Sequence, residues 1–498
     1  MVMISRKRGE GNTTVIQHQD LFIGGKWVRG SGAEVSVVSP ATEDVIGRIT
    51  MAAPADVDAA ARAARAAFDR GPWPRMPVDE RRRLLRDVGQ RMAEIADELD
   101  VLITSENGSP VRIKPGHASG QFDYYTSLDL PPDEYRVGPD GSAALVVREP
   151  VGVLAAIMPW NTPLALSLHT ILPALLAGCT VVLKPAPETP LHTYRLAQTF
   201  ADAGLPAGVL NVVPCDRDVS EAVVRHPDID MISFVGSTAT GARIGAICGE
   251  QVKRVRLELG GKSAAILLDD VDAASTATAV LNAGMLLNNG QTCASWTRIL
   301  VPNSRYDEMV DAMCDIASRA SIGDPLDPAT ILGPLVSERQ RARVEGYVAI
   351  GVGEGAKIAM GGARPAHLTR GYYVEPTVFV HADNTMRIAR EEIFGPVVTV
   401  IGYDGDEQAV SIANDSDYGL AGAVFTTDHA RGVALARQIR TGTVGVNCPG
   451  YGVAFPFGGY KRSGIGREHG PESILDVMEI KTIGLPRDHD PLAYASGS

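Results

Sequence analysis

Four short stretches of the chain carry residue types that could do chemistry. Cys293 lies in Asn289-Gly290-Gln291-Thr292-Cys293-Ala294-Ser295, a small, polar run between an apolar helix and a strand. A thiol in such a loop can be approached closely by an electrophile. The competing reading is a small buried hydrophobe, and no neighbouring histidine supports a cysteine–histidine pair. Glu258 closes an apolar strand in Leu257-Glu258-Leu259-Gly260-Gly261-Lys262. A carboxylate there is costly unless it is used or paired. Burial raises its pKa towards that of a general base working near neutrality; a salt bridge with Lys262 or Arg256 is the alternative. Asn161, in Met158-Pro159-Trp160-Asn161-Thr162-Pro163, follows a strand, where its amide can donate to an oxyanion or cap a turn. Gly236-Ser237-Thr238-Ala239-Thr240-Gly241 follows another strand and opens a helix. Free backbone N–H groups and the macrodipole suit a phosphate there, and an ordinary capped turn is the other reading. Neither common phosphate fingerprint is present. Arg256 stands where a P-loop ending in Gly261-Lys262-Ser263 needs its first glycine, and Gly464, Gly466 and Gly470 are spaced one residue too widely for GxGxxG.

The elements that must position these residues alternate between strand and helix. From Gly152 onwards β-rich runs at Val153–Met158, Thr180–Leu183, 209–213, Met231–Val235 and 255–257 alternate with helical stretches near 164–177, 191–203 and 239–249. After Gly261 a second series follows: strands near 264–268, 299–301, 397–401, 422–425 and 444–446, with helices near 273–287, 304–320 and 431–439. This alternation predicts two α/β units with parallel sheets, meeting at Gly260–Gly261. Upstream, Leu21–Val28 and Glu34–Ser39 read as a hairpin around Gly30–Gly32. Pro54–Phe68 reads as a helix with an acidic start, and Asp79–Asn107 as two helices. Pro131–Pro150 and Glu479–Leu485 read as orphan strands, whose edges need each other or another subunit.

Composition bounds the function. The 498 residues carry a net charge of −12 and are 45% hydrophobic, which describes a folded multidomain protein and argues against general binding of nucleic acid or an anionic membrane. The basic run Arg81, Arg82, Arg83 and Arg86 reads as a solvated helix face. No apolar run reaches the ~18 residues of a bilayer span. Met1–Asp20 carries Arg6, Lys7 and Arg8 with no apolar segment behind them and reads as a loose leader. The six scattered cysteines include no CxxC pair; they predict no metal site, no disulfide framework and a cytoplasmic location.

Taken together, the motifs resemble the aldehyde dehydrogenase superfamily. Pro159-Trp160-Asn161-Thr162-Pro163, Lys184-Pro185-Ala186-Pro187-Glu188-Thr189-Pro190, Phe234-Val235-Gly236-Ser237-Thr238, Leu257-Glu258-Leu259-Gly260-Gly261-Lys262 and Gly290-Gln291-Thr292-Cys293 occur in that family's order. So do Glu391-Glu392-Ile393-Phe394-Gly395-Pro396 and the run Pro456–Gly464. The resemblance extends from about Leu21 to Leu485. It implies an α/β fold of two open Rossmann-like units plus a small β oligomerisation arm. Residues 1–130 and 151–259 would form the cofactor-binding domain, 260–478 the catalytic domain, and 131–150 with 479–498 the arm of a homodimer or homotetramer.

The resemblance also implies roles. Cys293 would attack the aldehyde, and Asn161 would hold the oxyanion. Hydride would pass to the nicotinamide, and Glu258 would activate the water that hydrolyses the thioester. Ile157, Pro159, Trp160, Lys184, Gly236, Ser237, Leu259, Gly260, Glu392 and Phe394 would contact the cofactor, and Glu468 would be a second buried acid. One departure bears on NAD against NADP: the acidic residue that many members carry three positions after the lysine is Pro187 here, with Glu188 one further on. A carboxylate there repels a 2′-phosphate, so NAD is expected, with NADP left open. The implied substrate pocket, drawn from Thr162, Leu166, His169, Thr292, Ser295, Tyr451 and Phe457, holds no Arg or Lys to clamp a carboxylate. An uncharged aliphatic or aromatic aldehyde is therefore expected. Two other functions compete: a cofactor-free thiol hydrolase using Cys293 and Glu258, and a catalytically silent binding relative.

Overall fold

The computed structural model describes residues 15–487; most of the expected leader and the tail beyond residue 487 lie outside the described residues. Two sheets dominate. The first has eight strands in the order Gly464–Ile465, Arg254–Glu258, Met231–Val235, Val153–Ile157, Thr180–Lys184, Leu210–Val212, Asp20–Ile23 and Lys26–Arg29. Its five central strands are parallel. Val153–Ile157, Thr180–Lys184 and Met231–Val235 are buried along their whole length, the pattern of strands covered by helices on both faces. The covering helix Pro163–Ala177 starts with proline at its first turn and stops at Gly178, whose φ of 106° only glycine adopts freely.

After the Asp20–Ile23/Lys26–Arg29 edge, the parallel part of this sheet starts at Val153–Ile157 and builds outwards through Thr180–Lys184 and Leu210–Val212. The chain then crosses back to lay Met231–Val235 against the other side of Val153–Ile157. Such a reversal opens a crevice at the carboxyl ends of the two strands, where α/β sheets bind ligands. The loops leaving those ends are the ones that carry Asn161 and Gly236–Ser237.

The second sheet has seven strands in the order Lys357–Met360, Thr377–Val380, Val397–Tyr403, Trp296–Pro302, Ser263–Leu267, Ala421–Phe425 and Thr443–Val446. All neighbours are parallel except the Lys357–Met360 edge. The chain passes from one sheet to the other at Gly260–Gly261 and returns late, when Gly464–Ile465 pairs antiparallel with Leu257 and Glu258.

Three expectations need correction or completion. The first hairpin turns at Gly24–Gly25, both at positive φ, and pairs Asp20–Ile23 with Lys26–Arg29. Glu34–Val38 pairs instead with Val45–Thr50 in a separate three-stranded sheet. Two consecutive left-handed glycines make the tighter turn. Secondly, the arginine run is not a wholly solvated face. Arg81 is buried, donating to the carbonyls of Leu176 at 3.0 Å and Met76 at 2.6 Å, while Arg83 and Arg86 are exposed. Thirdly, the two orphan strands find each other: Met478–Leu485 pairs antiparallel with Ala143–Pro150 along its full length, with Glu134–Val137 on the far edge. No helix among the described residues is long and apolar enough to cross a membrane.

Candidate active site

A cavity of about 420 Å³ opens at the crevice, lined among others by Trp160, Asn161, Gly236, Glu258, Cys293 and Glu392. It draws on both sheets: the first supplies the loops after Val153–Ile157 and Met231–Val235 and the end of Arg254–Glu258, and the second supplies the segments holding Cys293 and Glu392.

Cys293 sits at the end of a rigid loop. Asn288 and Asn289 take left-handed conformations, φ 50° and 60°, which asparagine tolerates better than most residues. The Asn289 amide donates to the carbonyls of Gly108 and Pro334, each at 2.9 Å, and accepts from the Gly333 N–H at 2.7 Å. The Asn288 amide donates to the Asn161 carbonyl at 2.9 Å, which ties the cysteine loop to the Asn161 loop. Burial, and next the carboxylate of Glu258, push the Cys293 thiol well above its ordinary pKa. The Asn161 Nδ2 donates to the Gln291 carbonyl at 3.0 Å; an amide nitrogen carries two hydrogens, so one remains for a ligand.

Glu258 is buried, and the Cys293 thiol is the group that faces its carboxylate as a hydrogen-bond donor. Its pKa is raised well above the usual carboxyl range, first by burial and then by the Glu468 carboxylate, with the Cys293 thiol's hydrogen bond pulling the other way and Glu392 adding a smaller push. The salt-bridge alternative is not what the structure contains. Arg256 donates to Ser233 Oγ at 3.1 and 3.0 Å and lies 3.7 Å from Glu468 and 3.8 Å from Asp476. Lys262 is buried with no partner on its amine, and burial brings its pKa down to about 7.

Of the residues expected to meet a cofactor, Pro159, Trp160, Gly236, Ser237, Gly260, Glu392 and Phe394 line the cavity. A Cβ on Gly260 would lie 2.5 Å from Glu392 Oε2, so the glycine leaves room for that carboxylate, whose Oε1 accepts the Gly261 N–H at 3.1 Å. Burial raises the Glu392 pKa to about 7. The Phe394 ring stands edge-on to Trp160, with centroids 5.4 Å apart. Ile157, Lys184 and Leu259 are not in the lining. Ile157 and Lys184 are register partners at the ends of adjacent strands, and Leu259 packs where a Cβ on Gly241 would be, 2.3 Å away. Burial lowers the Lys184 pKa. Glu188, the carboxylate expected to repel a 2′-phosphate, is paired with Arg339 at 3.0 Å, which weakens that argument for NAD.

On the other side of Cys293, Tyr451 and Phe457 pack against the same small apolar cluster. His169 is buried and lies beyond them, its ring 3.8 Å from that of His469, which in turn stacks on Phe457. Thr292 Oγ1 is buried and unpartnered, and Ser295 Oγ donates to the Gly284 carbonyl at 3.3 Å. Among the described residues the exposed Asp97 and His117 come together with the buried Asp100, but none lines this cavity.

The sequence reading missed one wall. Arg339, Gln340 and Arg343 line the cavity from the helix Glu338–Gly353, which the strand–helix alternation did not register. A usable signal existed: Ser337 caps that helix, its Oγ accepting from the Gln340 N–H at 3.2 Å, and Ser followed by Glu is a helix start.

A thiol and a buried carboxylate thus meet at the ligand crevice of a parallel sheet, next to a helix N-terminus. The model of the aldehyde dehydrogenase family matches residues 27–483, and the chain belongs to that family. It is 44% identical over 477 residues, covering 94% of this chain and 99% of the relative, to a geranial dehydrogenase of Castellaniella defragrans. A Mycobacterium tuberculosis aldehyde dehydrogenase solved with NAD+ superposes with a TM-score of 0.93 at 48% identity, covering 96% of this chain and all of that one. Aldehyde dehydrogenase C of Pseudomonas syringae, solved as a cysteine-to-alanine variant with NAD+ and octanal, superposes at 0.90 with 39% identity, covering 93% and 96%.

Proposed function

We propose that this chain oxidises an aldehyde to the carboxylic acid with NAD+, using Cys293 as nucleophile, Asn161 as oxyanion donor and Glu258 as base. One observation carries the reading: Cys293 and the buried Glu258 line the same cavity as Glu392 and the Gly236–Ser237 helix start. That cavity fits the nicotinamide end of a dinucleotide. Gly260 leaves space for the Glu392 carboxylate to meet ribose hydroxyls, and the N-terminus of Thr238–Glu250 suits a phosphate. When bound, NAD+ supplies the hydride acceptor. The NAD+ complexes among the relatives support this choice over NADP.

The steps of the residues follow from their placement. The Cys293 thiol gives its proton to solvent, and the thiolate forms an S–C bond to the aldehyde carbon. The free Asn161 N–H binds the oxygen that becomes negative. Loss of hydride from that carbon leaves a thioester on Cys293. Glu258 then draws a proton from water; the water oxygen bonds to the acyl carbon, the S–C bond breaks, and the acid leaves. The raised pKa of Glu258 makes it a stronger base for this task than an exposed carboxylate. On the side away from Glu258, Cys293 shares an apolar cluster with Tyr451 and Phe457, which favours an uncharged aliphatic or aromatic aldehyde.

The domain limits given above, the homodimer or homotetramer and the cytoplasmic location are part of the proposal. The exposed Ile480 and Ile483 on the outer strand of the arm support association, and six free thiols suit a reducing compartment. The test is direct: with NAD+ and a panel of aldehydes, reduced cofactor and free acid should form in equal amounts. Ester hydrolysis without cofactor, and no reduction of NAD+ by any aldehyde, would favour the hydrolase instead.

A further inference from the structure

The turn that carries Glu392 and Phe394 is held in a conformation its residues do not favour. Phe394 has φ of +64°, a left-handed geometry that is costly for a bulky side chain. Two side chains one helical turn apart on Glu338–Gly353 reach the carbonyls of this turn. Gln340 Nε2 donates to the Phe394 carbonyl at 2.7 Å and to the Ile393 carbonyl at 3.3 Å. Arg343 Nε donates to the Ile393 carbonyl at 3.2 Å, and its guanidinium also donates to the Glu392 carbonyl. Three successive carbonyls are thereby fixed by one helix face.

The other side of the turn is equally confined. A Cβ on Gly395 would lie 2.5 Å from Val344 Cγ2 of the same helix, and a Cβ on Gly290 would lie 2.2 Å from the Gly395 carbonyl oxygen. The turn is therefore wedged between the Glu338–Gly353 helix and the loop that ends in Cys293. In this state the Phe394 ring stands edge-on to Trp160 and the Glu392 carboxylate takes the Gly261 N–H. A Phe394 relaxed to negative φ would redirect both side chains.

We propose that Gln340 and Arg343 are positioning residues that hold the 392–395 turn in its left-handed form, so that Phe394 and Glu392 face the nicotinamide and its ribose as hydride transfer requires. This rests on the reading that the cavity receives NAD+. Both residues also line the cavity, so direct contact with the cofactor is the rival role, and a double-mutant cycle separates the two.

The experiment uses the full chain with Gln340→Leu, Phe394→Gly and their combination, and reads the NAD+ dissociation constant and the single-turnover rate of NAD+ reduction with octanal. Against Phe394, Gln340→Leu should slow hydride transfer about tenfold, as two hydrogen bonds to a strained turn are lost. Against Phe394→Gly, where positive φ costs nothing, the same change should slow it by less than about twofold. Phe394→Asn, which also tolerates the left-handed region, should give the same result as the glycine. Gln340→Glu keeps the size, replaces the donor with an acceptor, and serves if the leucine variant does not fold. An equal loss in all backgrounds would assign Gln340 to direct cofactor contact and overturn the proposal, as would Gln340→Leu at the wild-type rate. If the unaltered chain reduces no NAD+ with any aldehyde, the proposed function fails, and this proposal with it.

Discussion

Replacing Glu258 with glutamine removes the proposed base while keeping its shape. The carboxylate faces the Cys293 thiol as a hydrogen-bond donor, and the amide oxygen can still accept from it, so glutamine should fit with little rearrangement. Cys293 and Asn161 are untouched, so hydride transfer should still occur once per site. Hydrolysis should lose the ~10²–10⁴-fold typical of general-base help. Stopped-flow absorbance of reduced cofactor should show a burst of one equivalent per site followed by a steady rate lower by that factor.

Stability supplies a second readout of the same substitution. The native carboxyl has a pKa raised above the unfolded value of 4.5. As pH rises beyond that value the unfolded chain releases the proton while the native state retains it, so the native state binds more protons and stability falls with pH. That loss continues until the folded pKa is passed. Glu258→Gln cannot titrate, so its melting temperature should exceed the wild type's at about pH 8 and approach it at about pH 4. Turnover of Glu258→Gln at the wild-type rate, or a melting difference independent of pH, would refute the assignment of an uncompensated buried base.

Other consequences are as direct. Cys293→Ala should lose turnover by ~10⁴-fold or more while still binding NAD+, measured by quenching of protein fluorescence. The Glu258 carboxylate helps to raise the Cys293 pKa, so the pH midpoint for iodoacetamide labelling of Cys293 should fall in Glu258→Gln. Gly260→Ala places a methyl 2.5 Å from a Glu392 oxygen that is itself held by the Gly261 N–H. NAD+ affinity should drop by about tenfold or more, the scale of one lost charge-assisted hydrogen bond. Ile480→Lys on the outer strand of the arm should shift the light-scattering mass towards the 52.7 kDa monomer.

Much of the site was legible because its chemistry is local. Cys293, Glu258 and Asn161 each sit at the end of an apolar run, where the change from buried strand or helix to small polar loop is written in a few consecutive residues. The parallel sheets followed from strand–helix alternation, whereas the crevice at their carboxyl ends needs the strand order, which only the fold supplies. What escaped was long-range. Arg339, Gln340 and Arg343 belong to a helix with no unusual composition, and only its packing against residues 392–395 makes it part of the cavity. Arg81 looked solvated because its buried partners are main-chain carbonyls, Leu176 among them, nearly a hundred residues away in sequence. The glycine turn was misplaced by a few residues because Gly24–Gly25 and Gly30–Gly32 both offer plausible turns, and only the pairing of Asp20–Ile23 with Lys26–Arg29 decides between them.

The central claim is that the acyl group passes through Cys293. Wild-type protein mixed rapidly with NAD+ and octanal, quenched in acid during the first turnover and digested, tests it most directly by mass spectrometry. The account predicts an octanoyl group on the peptide containing Cys293, in step with the reduced cofactor formed before hydrolysis. Reduced cofactor accumulating with Cys293 unmodified, or an acyl group on another residue, would contradict it.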